Sequence, residues 1–349
     1  MSSRRYALVS PCRDEEDHLP TTLASVAAQS EPPAAWVVVD DGSTDASPKI
    51  LADFVAEHDY VRVITRQGRD DRVLGSAVVE AFEEGVAALD LDDYDYVVKL
   101  DVDLDLPPTY FARLMDLMEE DPRLASVSGV ACVEEDGSLV PERGSAEMSV
   151  GMSKFYRVSA YRDIGGFVPM LMWDGIDCHT ARAHGWRVRS VDEPDLRFRH
   201  LRPMGSSDRG LLRGKRRHGR GQYLMGTHPA FLLASTLVRT RDDPPVIGAA
   251  HMLAGYVAAA AQGADRFDDE EVRRQLRRFQ LESLVIGKRR AVRRWEERTE
   301  SRWPGREQSA AVEHAARPEG DPAHAAGRSA RQVGRPGRRV VPGALFRSR

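Results

Sequence analysis

At roughly 100–200 residues per domain, 349 residues allow two domains, or one large domain with an appendage. A hydrophobic fraction of 42% supports a real core and excludes global disorder, and a net charge of −4 excludes a chain whose main task is wrapping nucleic acid. Three cysteines, Cys12, Cys132 and Cys178, are too few and too scattered for a disulfide framework or a zinc site, and they read as small buried residues in a reducing compartment.

Met1–Arg5 is basic, but a strand-like Tyr6–Ser10 and the charges of Arg13–Asp17 follow, so no signal peptide is expected. Asp17–Gln29 reads as a helix with Leu19, Leu23 and Val26 on one face. Trp36–Val39 is a second strand that ends in Asp40-Asp41-Gly42-Ser43. A helix over Ser47–Glu57, a strand over Val61–Thr65 and a long helix over Val73–Leu89 come next. Tyr96–Leu100 is a further strand, ending in Asp101-Val102-Asp103. This alternation is the βαβ pattern, which predicts an α/β, Rossmann-like fold: a mostly parallel sheet with helices on both faces. Ligands of such sheets sit beyond the carboxyl ends of the strands, where both acidic clusters fall.

The second half is less regular. Ser126–Val133 reads as a strand, and Met152–Asp163 as a helix closing at Gly165-Gly166. Asp174–His184 reads as a helix ended by Gly185, and Arg187–Val191 as a final strand. From Arg197 to Arg220 the chain turns strongly basic. Helices are expected over Ala230–Arg239, Val246–Ala261 and Asp268–Thr299. The most apolar stretch, Val246–Gln262, carries His251 and is mostly Ala and Gly, which suits a buried or interfacial helix better than a membrane span. Beyond Pro304 the composition shifts to Ala, Gly, Pro and Arg, as in a disordered tail. The expected organisation is an α/β domain over 1–225, a helical region over 226–303 and a tail over 304–349.

Val37-Val38-Val39-Asp40-Asp41-Gly42-Ser43-Thr44-Asp45 feeds two carboxylates from a strand tip into a Gly turn and a helix start. A capped turn uses the same residues, while a carboxylate at a strand tip can also accept hydrogen bonds from a base or ribose. In Lys99-Leu100-Asp101-Val102-Asp103 the alternating acids point opposite ways, so one can reach a divalent ion while the other faces a sugar. An acidic solvated loop is the plainer reading.

Taken together these segments resemble the family 2 glycosyltransferases with the GT-A fold. Val9-Ser10-Pro11-Cys12-Arg13-Asp14-Glu15-Glu16 is similar to that family's first strand and Pro-x-x-Asn-Glu segment, with Asp14 where Asn is usual. The Asp40 segment and Asp101-Val102-Asp103 match its nucleotide-binding strand end and its Asp-x-Asp. Tyr161-Arg162-Asp163-Ile164-Gly165-Gly166-Phe167 resembles the end of its acceptor-side helix. Trp173-Asp174-Gly175-Ile176-Asp177, followed by Arg182-Ala183-His184-Gly185-Trp186, resembles the block that bears the catalytic base. The resemblance covers about residues 5–225.

It implies an inverting transfer of a sugar from a nucleotide-diphosphate sugar to an acceptor hydroxyl, in cell-surface glycan or glycolipid synthesis. Pro11, Glu15, Asp40 and Asp101 would bind the donor, with Arg202 on its phosphates. Asp103 would hold Mn²⁺ or Mg²⁺ against the leaving diphosphate, with His200 completing the metal shell. The usual Glu-Asp-x-Asp is replaced by Asp174-Gly175-Ile176-Asp177. At i and i+3 of a helix start both carboxylates can share one face, and either Asp174 or Asp177 is the base, while the plainer reading is that one of them only caps the helix.

The partners expected are the donor, a glycan or lipid-linked acceptor, and peripheral contact with an anionic membrane through Arg213, Lys215, Arg216, Arg217 and Arg220. The expected place is the cytoplasm, at the inner face of the cell membrane. Nucleic acid is not an expected partner. A non-catalytic nucleotide-sugar-binding or scaffold protein is the alternative. A nucleotidyltransferase is a weaker one, because no Gly-rich phosphate loop follows the first strand.

Overall fold

The computed structural model describes residues 4–67, 76–142, 144–202, 210–241 and 244–306, all within one unit, Met1–Arg306. The start of the helix expected at Val73, the Pro203–Gly205 and Arg209 positions of the basic run, and the tail from 307 onward lie outside the described residues. In chain order the first elements are β1 (Tyr6–Cys12), α1 (Leu19–Ala27), β2 (Ala35–Asp40), α2 (Ser47–Val55), β3 (Val61–Thr65) and α3 (Ser76–Ala87). Then come β4 (Tyr96–Leu100), β5 (Leu104–Asp105), α4 (Tyr110–Glu120), β6 (Leu124–Ser128), β7 (Val130–Glu135) and β8 (Ser138–Pro141). β9 (Ser153–Arg157), α5 (Val158–Asp163), α6 (Trp173–Ala183), β10 (Arg187–Ser190) and β11 (Arg197–His200) follow. The last five helices among the described residues are α7 (Leu211–Met225), α8 (Pro229–Val238), α9 (Ile247–Ala261), α10 (Glu270–Ile286) and α11 (Lys288–Thr299).

Seven strands form the central sheet in the order β10-β6-β9-β4-β1-β2-β3. All pair in parallel except β9, which runs antiparallel to β4 and β6. β1, β2 and β4 are apolar runs because both of their faces are covered. Alternate residues feed two cores. Leu8, Trp36, Val38 and Val98 pack with Leu19 and Leu23 of α1 and Phe111 and Leu114 of α4. Val9, Val37, Val39 and Val97 pack with Val79 and Phe82 of α3 and Trp173 and Cys178 of α6.

Three expected elements take other forms. The strand expected over Ser126–Val133 is two strands, β6 and β7, which belong to different sheets. The chain changes sheets at Gly129, where a Cβ would lie 1.9 Å from the carbonyl oxygen of Leu196. The helix expected over Met152–Asp163 begins instead as strand β9, inserted between β4 and β6, with only its last turns helical in α5. The helix expected over Asp268–Thr299 is two, α10 and α11, divided at Gly287.

A second sheet, in the order β5-β11-β7-β8, decides the site. It lays β11 antiparallel to β5 with His200 opposite Leu104, one residue beyond Asp103. The basic run thus opens as a strand and, after a segment outside the described residues, continues as α7. α7 and α9 cross at van der Waals contact, because a Cβ at Gly219 or Gly255 would lie under 2 Å from the carbonyl oxygen of Met252 or Arg216. α11 is tied to the sheet by Glu296, which accepts from Arg189 at 2.5 and 2.7 Å and lies 3.6 Å from Arg182. Among the described residues no helix is long and apolar enough to cross a membrane.

Candidate active site

The loops after β1 and β2 are laced together at the carboxyl edge of the sheet. Asp14 has φ +53°, a left-handed conformation that Asp and Asn tolerate better than most residues. Its amide donates to Ser43 Oγ at 3.0 Å, and its Oδ1 accepts from the amide of Thr44 at 2.7 Å. Asp40 is buried, with Oδ1 accepting from the amide and hydroxyl of Ser43 at 2.9 and 2.5 Å. The Asp40 side chain thus folds the loop back on the strand tip beside Pro11, which pairs in register with Val39, while α2 begins after Ala46 with no side-chain cap. Asp41 is held by Arg66 at 2.9 Å.

Asp101 and Asp103 leave the tip of β4 in different surroundings. Lys99, buried in β4, donates to Asp101 Oδ1 and to the carbonyl of Gly151, the latter at 2.9 Å. Withdrawal from water raises the pKa of Asp101 against the opposing pull of Lys99. Asp103 meets residues of the small sheet. His200 Nε2 lies 3.6 Å and Arg202 Nε 3.9 Å from its Oδ2, and Arg202 also pairs with Glu15. Burial would raise the pKa of Asp103, but His200 and Arg202 outweigh it and hold it below the usual carboxylate range. Burial likewise pulls His200 down, and Asp103 and Glu142 more than offset this. Glu142, just past β8, is 2.8 Å from His200 Nδ1 and orients the ring so that Nε2 faces Asp103.

Asp103 Oδ1 is buried with no hydrogen-bond partner among the described residues. An ionised, half-satisfied carboxylate next to an imidazole backed by a carboxylate fits a divalent cation that takes its remaining ligands from phosphate and water. Among the described residues no group of three or more His, Cys, Asp or Glu forms a cage by itself.

The base block separates its two acids. Asp174 stands in the first turn of α6, against Gly151, and its carboxylate has no hydrogen bond or ion pair among the described residues. Asp177, one turn on, points into the core. It accepts from Lys154 at 2.7 Å and Tyr156 at 2.6 Å, and its side chain is 1% exposed. Burial pulls the pKa of Lys154 down, but Asp177 reverses this and the lysine stays charged. Lys154 also donates to the backbone carbonyl of Asp174 at 3.0 Å, so the pair pins the helix start that carries Asp174. Lys154→Met is expected to destabilise the fold by about 3–5 kcal/mol, since it leaves Asp177 buried and unpaired. Lys154→Met with Asp177→Leu should recover most of that loss in denaturant unfolding.

Asp101 and Asp174 share a cavity of ≈520 Å³ with Lys99, Trp173, His218 and Arg239. Lys215 and Arg217 of α7 complete its wall, while Arg213, Arg216 and Arg220 point to solvent. Burial lowers the pKa of His218 to about 4, with Arg239 adding to the shift. The unfolded chain binds this proton at about 6.5, so His218 stabilises the fold above that pH, and the contribution is lost as pH falls towards 4. His218→Gln should reduce the acid-side loss of stability by up to about 3 kcal/mol across that window, read from unfolding midpoints against pH.

All nine expected site residues lie along the carboxyl edge of the sheet or just below it. Glu15, Asp40, Asp177 and His200 are buried there, and Pro11, Asp101, Asp103, Asp174 and Arg202 are partly exposed. Lys99, Glu142, Lys154 and His218 were not foreseen as site residues. The available signal was Lys99, a lysine inside the otherwise apolar strand Tyr96–Leu100 in a chain with only five lysines.

Residues 7–172 match the family model described as glycosyl transferase family 2. A poly-β-1,6-N-acetyl-D-glucosamine synthase of Staphylococcus epidermidis is 23% identical over 203 residues, or 52% of this chain and 45% of that protein. The matched region thus spans less than half of that relative's length. Among solved structures, GalNAc-T7 with UDP, GalNAc and Mn²⁺ superposes with a TM-score of 0.50 at 14% identity, covering 76% of this chain and 55% of that one. A mannosyltransferase of Pyrobaculum calidifontis with GDP-Man and Mn²⁺ gives 0.47 at 18% identity, covering 91% and 89%. At such identities the likeness is one of fold, and the fold is GT-A.

Proposed function

Because residues 7–172 belong to glycosyl transferase family 2, we propose that this chain is an inverting glycosyltransferase. It moves a sugar from a nucleotide-diphosphate sugar to an acceptor hydroxyl, in the synthesis of a cell-surface glycan or glycolipid. The observation that carries the proposal is Asp174: a carboxylate that makes no hydrogen bond or ion pair among the described residues faces the same cavity as Asp101, beside the Asp103 cradle.

The donor lies along the strand tips. Its nucleoside end meets Pro11, Glu15 and the Asp40 turn, and Asp101 faces its ribose or sugar. Arg202, between Glu15 and Asp103, reaches from the nucleoside end to the diphosphate, where its fork binds oxygens bidentately. Asp103 and His200, with Glu142 orienting the imidazole, would hold Mn²⁺ or Mg²⁺. Such a cation neutralises charge on the departing diphosphate. Asp174 takes the proton of the acceptor hydroxyl as it attacks the anomeric carbon from the face opposite the diphosphate, a role worth typically ~10²–10⁴-fold in rate. Asp177 acts through Lys154 and holds the base in place. Lys99 keeps Asp101 aimed at the cavity.

The name of the staphylococcal relative supports a polysaccharide setting. Proton NMR of slow donor hydrolysis tests the stereochemistry. From an α-linked donor, the β-anomer of the free sugar should appear first, together with nucleoside diphosphate. First appearance of the α-anomer would overturn the inverting reading, and no release from any nucleotide sugar would favour a binding protein without catalysis.

A further inference from the structure

The two helices beyond the cavity wall, α8 and α9, contain no Asp, Glu, Lys or Arg. They pack side by side, yet leave large apolar side chains in water. Leu233, Leu237 and Val238 of α8 are 56, 72 and 75% exposed, and Val246, Ile247 and Val257 at and along α9 are 62, 54 and 55% exposed. On α9 the exposed positions 247, 250, 254 and 257 recur at three- and four-residue steps and form one stripe, as do 230, 233 and 237 on α8. Soluble chains rarely expose a contiguous patch of this kind without a partner for it.

We propose that α8 and α9 form a docking face for an anionic lipid bilayer. Charge selects this occupant. Residues 211–262 hold seven basic residues against two acidic ones, Asp242 and Asp243, which lie outside the described residues, in a chain whose net charge is −4. Arg239 and Arg241 are exposed where the two helices join, and Arg213, Arg216 and Arg220 are exposed along α7. Apolar side chains ringed by arginines suit a helix pair lying in the headgroup layer, and neither helix is long enough to span. The face reaches the cavity, because Arg239 at the end of α8 and Met252 of α9 line that cavity beside Leu211 and Lys215 of α7. Docking brings the cavity mouth to the lipid surface, so the acceptor taken there is lipid-anchored; this last step rests on the transfer reaction proposed above.

The test uses the full chain, sedimented with vesicles of equimolar phosphatidylcholine and phosphatidylglycerol or of phosphatidylcholine alone. Binding should favour the anionic vesicles and fall in high salt, where screening shortens the range of the arginines. Leu237→Asp with Val238→Asp should lower the partition constant by at least about tenfold, with unchanged Mn²⁺-dependent nucleotide binding as proof of folding. Leu237→Trp should show quenching by brominated lipid, a readout independent of the double variant. Equal sedimentation of wild type and double variant, absence of wild-type binding to anionic vesicles, or a dimer that the double variant dissociates would each overturn the docking face. Vesicle binding without any nucleotide binding would uphold the face and sink the transfer reading alone.

Discussion

Asp174→Asn is expected to lower turnover by ~10²–10⁴-fold, the range for losing a general base, while donor affinity stays near that of wild type. The substitution keeps the shape of the side chain and removes only its ability to accept a proton. It breaks no hydrogen bond or ion pair among the described residues, since the Asp174 carboxylate makes none there, so a large loss of stability is not expected to confuse the result. Asp177→Asn should behave differently. Asp177 accepts from Lys154 and Tyr156 inside the core, and its loss should appear first as a lower unfolding midpoint. Single-turnover rates and nucleotide affinities measured side by side separate the two. Near-normal turnover in Asp174→Asn would remove it as the base.

Asp103→Asn is expected to weaken Mn²⁺-dependent donor binding by more than about 100-fold. Outer partners of metal ligands typically cost 10–100-fold when removed, so Glu142→Gln should fall within that range and Asp103→Asn beyond it. The ordering follows from geometry: Asp103 offers an unpartnered buried oxygen, while Glu142 acts only through His200. Isothermal titration of each variant with nucleotide and Mn²⁺ gives both affinities. Equal, unperturbed affinities would remove the cradle from the account.

The first half of the fold was legible because its strands are apolar runs that stop abruptly at acids, glycine or helix signals, so local pattern and global topology agree. The strand ends then placed Asp40, Asp101 and Asp103 on one edge before any geometry was known. β9 escaped because it lies mid-sheet by long-range pairing with β4 and β6, and its five residues, Ser153–Arg157, run straight into the helix α5. Glu142 escaped for the same reason, since the small sheet pairs β11 with β7 and β5 across about 67 and 95 residues and no local spacing announces it. The i, i+3 spacing of Asp174 and Asp177 predicted a shared face. On a helix those positions diverge by about 60°, and α6 is seated so that the divide between cavity and core falls between them. Lys154 supplies the inward pull, and its partner was not readable from the block itself.

The central claim, that a nucleotide-diphosphate sugar and a divalent cation meet at these strand tips, is tested most directly by thermal unfolding with UDP-, GDP- and dTDP-sugars, each with and without Mn²⁺. A ligand that binds only the folded chain adds about 2.7 kcal/mol at a hundredfold excess over its Kd. At least one nucleotide sugar should raise the midpoint by several degrees with Mn²⁺, raise it far less after chelation, and lose the effect in Asp103→Asn. A midpoint unmoved by every nucleotide sugar in the presence of Mn²⁺ would contradict the account.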